Sequence, residues 1–273
     1  MTVSSPPDSP VLLLLDTTST QFSVALVRGS QILAEFGVVT RQTSSLVISD
    51  IDFVLQRAGC ALAGLDGFGV LVGPGSFTGL RVGLATIQAM SQALNRPVVT
   101  ATTLEVLTAT IPVFLNPVWV WVVHTSYRDE VYAQCFRLEP GTGPQPITEP
   151  FAGHKHQIAD IITVFLRNPP TFAPAGFFTG DAIPVLSARL QAEADEQQVQ
   201  FFPLDQTSQM NYLIESGGWY CIQSPTFLAP TAAGLFLNRW REGKQIGAHE
   251  IDACYVRPSE AELKLIQPAE SQA

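Results

Sequence analysis

The residues whose types and spacing could do chemistry are concentrated in Gly73–Gly83, GPGSFTGLRVG, which carries four glycines, one arginine and no acidic residue. A glycine-rich turn ahead of a helix can cradle a phosphate on its backbone N–H groups. The spacing here departs from each established form of that chemistry. A Walker loop requires a lysine, and the segment has none. A dinucleotide fingerprint requires a third glycine where Thr78 stands, then an acid about 20 positions on, and no acid lies between Gly73 and Thr102. A nucleophile elbow around Ser76 requires glycine where Pro74 stands. What remains is a tight turn, with Ser76 or Thr78 placed to cap a helix.

The other candidates are sparse. Asp16 ends the apolar run Val11–Leu15, where a carboxylate could hold Mg²⁺, orient a phosphate-bound water, or simply cap the following turn. His124, His154, His156 and His249 form no i, i+4 pair, so metal ligation on one helix face is not provided for. His154-Lys155-His156 reads as part of a loop. Arg81 could meet an anion or a salt-bridge partner. Trp119, Trp121 and Trp219 read as core. No catalytic set and no metal site is assigned.

Elements must position these residues. Val11–Leu15 reads as a strand buried on both faces, followed by the turn DTTST, a strand over Phe22–Val27 and a third over Gln31–Val39. Ser44–Gly59 has helical period, Phe68–Val72 is a strand, Arg81–Leu94 a helix and Pro97–Thr100 a strand. The rhythm then restarts. Strands over Val118–Val123 and Glu130–Leu138 flank a polar turn, and the Pro/Gly-rich loop Glu139–Pro150 leads to a helix over Gln157–Arg167. A strand over Ala175–Thr179, a helix over Ala182–Glu196, a strand over Val199–Phe202 and a helix over Leu228–Arg241 complete the second round. Two rounds of mixed strands and helices predict a two-lobed α/β protein.

The helix after the glycine-rich turn has no charge from Val82 to Asn95. Leu80, Leu84, Ile87 and Leu94 fall on one side, and Val82, Ala85, Ala89 and Ala93 on the other. A helix apolar on both sides must be covered on both, either inside its own domain or by a partner. The 273-residue chain is 46% hydrophobic and only 14% charged, with a net charge of −9, which argues against independent nucleic-acid binding. Cys60, Cys135, Cys221 and Cys254 are far apart, as expected of a reducing compartment and not of a disulfide framework. MTVSSPPDSP reads as a disordered tail, not a signal peptide, and no apolar block is long enough for a bilayer. A cytoplasmic protein is expected.

LLLLDTTST with its hairpin, and VGPGSFTGLRVGLATIQAMSQAL with its following strand, resemble the TsaB (YeaZ) family over roughly Val11–Leu107. Glu130–Tyr132, Gly180–Ala182 and Cys254–Pro258 match it more loosely. The resemblance implies a duplicated actin-like/Hsp70-like (ribonuclease H-like) α/β fold. On that basis residues 1–10 are a tail, 11–108 an N-terminal lobe with the partner-binding helices, 109–258 a C-terminal lobe whose last helix is free to pack back on the first, and 259–273 a polar tail. It implies a non-catalytic scaffold or activator that pairs with a TsaD-type catalytic subunit, joined by a TsaE-type ATPase, for N6-threonylcarbamoylation of the adenosine beside the tRNA anticodon. tRNA would be met only through the complex, no cofactor would be bound by this chain, and ATP and metal would sit on partner subunits.

The implied partner face comprises Val47, Ile51, Gly75, Phe77, Thr78, Arg81, Val82, Ala85, Ala89 and Ala93; for the isolated chain, homodimerisation through the same helices is the alternative. Asp16 and Thr18 mark a vestigial nucleotide site, because Thr18 occupies the glycine slot of the D-x-G-[TS] turn of ATP-binding relatives. Two motifs depart from the family: Arg41-Gln42-Thr43-Ser44 lacks its histidine, and the region around Thr125-Ser126-Tyr127 replaces Asp-Ala-Arg. A glycoprotease-like metallopeptidase and an ATP-binding kinase of the same fold remain the alternative functions.

Overall fold

A computed structural model describes residues 9–40, 43–112, 116–126, 130–167, 175–184, 186, 192, 201–204 and 218–256. Three strands open the chain as an antiparallel meander: β1 (Val11–Asp16), β2 (Gln21–Arg28) and β3 (Gln31–Val39). After α1 (Thr43–Arg57), β4 (Gly67–Leu71) joins β1 in parallel, and after α2 (Phe77–Leu94), β5 (Val98–Ala101) joins β4 in parallel. The first sheet therefore runs β3-β2-β1-β4-β5. A short helix, α3 (Thr103–Thr108), leads out of it.

The second sheet repeats the plan. β6 (Val118–Thr125) and β7 (Glu130–Leu138) are antiparallel, with β8 (Gln145–Pro146) and β9 (Phe151–His154) both pairing with β7. After α4 (Lys155–Arg167), β10 (Ala175–Thr179) lies parallel to β6. β11 (Phe201–Leu204) and β12 (Gly218–Ile222) extend the parallel side in the order β10-β12-β11. α5 (Leu228–Thr231) and α6 (Ala233–Arg241) come last. This is the two-lobed α/β architecture, with one sheet plan used twice, expected from the resemblance.

Strand alternation divides the side chains into three cores. Leu13 and Leu15 of β1 face outward to α1 and α2, in a cluster with Val47, Ile51, Leu84 and Ile87. Trp119, Trp121 and Val123 of β6 face the opposite outer layer, with Ile158 and Ile162 of α4. Leu12 and Leu14 instead face Val118, Val120, Val122 and Phe177 in one core shared by both lobes. Two helices are exchanged across that boundary. α3 follows the first sheet but packs on β6 and β7, whereas α5 follows the second but packs on β1 and β2. Gly67 and Gly69 of β4 admit the rings of Trp240 and Phe236 from α6.

The differences from the sequence reading have local causes. The single helix over Leu228–Arg241 is two, because Ala232 has ψ −9 and breaks the helical path. His154 ends a strand and His156 lies in the first turn of a helix, so the H-x-H stretch is not a loop. β8, β9, β12 and the six-residue α3 lack the length or alternation that a periodic signal needs. The helix over Ala182–Glu196 lies mostly outside the described residues, as do positions 1–8, Arg41, Gln42, Tyr127 and the tail from 257 onward.

Candidate functional site

Two rows of residues spaced by four define α2. Gly75, Gly79, Gly83, Ile87 and Ser91 run inward, from the turn before the helix to its last turn. A methyl group on Gly75 would overlap the Thr18 carbonyl, and on Gly79 or Gly83 the Thr17 carbonyl or hydroxyl. The glycines are therefore used to seat α2 directly on the β1–β2 turn. Ser76 caps the helix, its hydroxyl accepting from the Gly79 amide at 3.3 Å, as the sequence suggested. The Ser76 amide in turn donates to the Thr18 carbonyl at 2.5 Å. The space that a phosphate loop would keep open beside Thr18 is filled by the chain's own helix.

Phe77, Arg81, Ala85, Ala89 and Ala93 form the other row, and all five are exposed, with Thr78 exposed and Val82 half-buried beside them. The Arg81 guanidinium lies 3.9 Å over the Phe77 ring, and Tyr255 packs against that ring at 5.4 Å between centroids. Tyr255 belongs to a C-terminal strap held by the Cys254 amide to the Val72 carbonyl at 2.7 Å and by Gln88 to the Ile251 carbonyl at 3.4 Å. Nothing among the described residues covers the alanines. Three positions expected on the partner face are placed elsewhere. Val47 and Ile51 are buried in the lobe's own core, because the apolar stripe of α1 is its inward face, and Gly75 meets Thr18. From α1 the apolar residues that reach solvent are Leu46, Ile48 and Phe53.

A second cluster sits where the shared core ends. Asp16 continues the inward row Leu12–Leu14, and His124 continues Val118–Val120–Val122; both are buried. One Asp16 oxygen accepts the Thr18 amide at 2.8 Å and the Thr18 hydroxyl at 2.7 Å, while its other oxygen has no partner among the described residues. Burial pushes the Asp16 carboxyl up, against the Thr18 hydrogen bonds and the charge of His124. His124 Nδ1 lies 2.9 Å from Asp181, which also accepts the Thr125 amide at 2.7 Å. Burial raises Asp181 too, but His124 and the Thr125 amide outweigh it and hold this carboxyl below the usual range. His124 Nε2 and the Thr179 hydroxyl are buried without partners among the described residues.

The sequence pointed to Asp16 and Thr18 but not to His124 or Asp181. The available signal was parity: His124 is the polar end of an alternating strand, as Asp16 is of the first. Among the described residues no group of three His, Cys, Asp or Glu could hold a metal, and no helix is long and apolar enough to cross a membrane. His154 and His156 stack at 6.1 Å between centroids, apart from this cluster's residues. The four cysteines are free, and burial pushes the Cys221 thiol up to about 12, which makes it a poor nucleophile at neutral pH.

The chain is similar to known proteins over part of its sequence and in its fold. Residues 27–143 match the TsaD family, tRNA N6-adenosine threonylcarbamoyltransferase. The tRNA threonylcarbamoyladenosine biosynthesis protein TsaB of Escherichia coli K12 is 28% identical over 93 residues, 34% of this chain and 40% of that protein. TsaB of Bacillus subtilis 168 is 24% identical over 142 residues, 50% of this chain and 60% of the relative. TsaB of Haemophilus influenzae is 33% identical over 88 residues, 32% and 37%. The matched stretches thus span less than two thirds of these curated relatives. In structure, YeaZ from Pseudomonas aeruginosa is similar at a TM-score of 0.63 and 21% identity, over 90% of this chain and 99% of that one.

Proposed function

From its similarity to TsaB proteins over part of their length, we propose that this chain is a protein of the TsaB (YeaZ) type, a non-catalytic scaffold or activator subunit in tRNA threonylcarbamoyladenosine biosynthesis. In this reading it pairs with a TsaD-type catalytic subunit, and a TsaE-type ATPase joins the assembly. The observation that carries the pairing is the exposed row Phe77, Arg81, Ala85, Ala89 and Ala93. Helix axes approach most closely where the residues between them are small, and three alanines in line on a helix that carries no charge after Arg81 provide such a seat. Phe77, Arg81 and Tyr255 at one end supply an aromatic and a charged anchor of the kind enriched at the centre of interfaces.

ATP and metal are assigned to the partner subunits, in keeping with a first turn whose open side is occupied by α2. tRNA is assigned to the complex, in keeping with a net charge of −9, and the cytoplasm is its expected setting. Ala89→Glu, with Ala85→Arg as a second variant, should abolish co-purification with a TsaD-type subunit while leaving the circular dichroism and the melting of the chain unchanged. An intact complex with either folded variant would remove α2 from the interface. Self-association of the isolated chain that is lost in the same variants would identify the row as a homodimer face. Stoichiometric zinc or iron in the purified chain would favour a metallopeptidase, and tight calorimetric binding of ATP·Mg²⁺ a kinase.

A further inference from the structure

The chain crosses between its lobes twice, through α3 on the way out and through the stretch ahead of α5 on the way back. Two lobes joined by two short connections could hinge about them. One side chain opposes that freedom. Arg239 leaves α6, which packs on β5 of the first sheet, and reaches Glu105 of α3, which packs on β6 and β7 of the second. The guanidinium fork divides its donors between the two sides. Nη1 donates to the Thr100 carbonyl in β5, and Nη2 donates to Glu105 Oε1. Arg239 is thus tied to the first sheet while it grips the helix that sits on the second.

Glu105 is engaged from both sides as well. Its Oε2 accepts the Thr102 amide at 2.7 Å, and its own amide donates to the Thr102 hydroxyl at 3.1 Å. The carboxylate that meets Arg239 is therefore the one that caps α3. Beside it, Thr103 donates its amide to the Gly73 carbonyl at 2.7 Å, and Gly73 opens the turn from which α2 starts. Both side chains of the pair are only 19% exposed, so solvent screens it weakly. A planar fork also fixes direction as well as distance.

We propose that Arg239 and Glu105 form a latch that fixes the second lobe against the first, and that Thr103 ties this fixed junction to the turn that launches α2. The lobes then move as one body, and α2 keeps a constant angle to both. The latch does not depend on what α2 meets. Its test uses the full chain alone and can fail separately from the pairing proposed above.

Residual dipolar couplings of backbone amides in the weakly aligned full chain read the relative orientation of the two sheets. Couplings from β1, β2, β4 and β5 and those from β6, β7 and β10 should fit one alignment tensor in the unmodified chain. Arg239→Met keeps an aliphatic stem without the fork, and Glu105→Gln keeps an oxygen for the Thr102 amide without the charge. Each variant should require two different tensors, and exchange of the Thr103 amide with solvent should quicken by about tenfold, with circular dichroism unchanged. A single tensor in either folded variant, or two tensors already in the unmodified chain, would overturn the latch. Loss of the fold in both variants would overturn it too, since the pair would then be a condition of folding and not a latch between folded lobes.

Discussion

The first strand of one lobe ends in Asp16, and the first strand of the other carries His124 at its last buried position. Both lobes build the same meander extended by parallel strands, and both aim that terminal position into the shared core. The two strand ends are secured differently. After Asp16 the turn is clamped from outside by the glycine row of α2, and its carboxylate hydrogen-bonds to its own turn. After His124 the strand end is held from within the same lobe by Asp181, across the β6–β10 pair. The two lobes thus share a sheet plan while their polar ends differ, an acid on one side and a base with its own acid on the other. The contrast shows that the sheet frame is set by apolar alternation, whereas the chemistry at its rim is set residue by residue.

Breaking the exchange of helices between the lobes should have the largest effect. Trp240 of α6 is buried and packs on the bare backbone of Gly67 in the first sheet. Trp240→Ala should cost about 3–5 kcal/mol in denaturant unfolding. A cost under about 1 kcal/mol would mean that the last helix adds little to the first lobe.

Next comes the clamp of α2 on the first turn. Gly79→Ala forces a methyl against the Thr17 carbonyl and should destabilise the chain by about 1–3 kcal/mol. Gly234, with open space around its absent side chain, should tolerate alanine or gain slightly, since alanine is the better helix former. Equal responses of the two variants would dissolve the distinction between glycines that touch backbone and glycines that do not.

The smallest effect separates the two acids by sign. Asp16 has a raised folded-state pKa, so its stability contribution is full below the usual aspartate value of 3.8 and is lost as pH rises through the folded value. Asp16→Asn should therefore gain on the unmodified chain as pH increases across that window. Asp181 has a lowered value, so its contribution is present above 3.8 and is lost as pH falls through the folded value. Asp181→Asn should trail the unmodified chain at neutral pH and draw level on acidification. Thermal midpoints of both variants between about pH 3 and 7 would test this, and parallel curves would show that the two carboxyls are not distinguished by their lobes.

Apolar alternation, helical period and turn chemistry made much of this protein legible before any coordinates. The ranges of β7 and β10 follow from the sequence without error, Ser76 is legible as a cap, and the helix without charge from Val82 onward is legible as having two apolar sides. These are local properties, carried by residues a few positions apart. The side of α1 that meets a partner was not legible, because Val47 and Ile51 have the same pattern whether the cover is a sheet of the same chain or another protein. Nor did spacing say that the glycines of GPGSFTGLRVG serve a helix-to-turn contact, since a row of small residues looks alike facing a phosphate or a carbonyl. Asp16 and His124 are 108 positions apart in the chain, and only the closing of two sheets on one core brings them to the same boundary. Burial then decides their chemistry, because desolvation and the nearest hydrogen-bond partner are properties of the assembled fold.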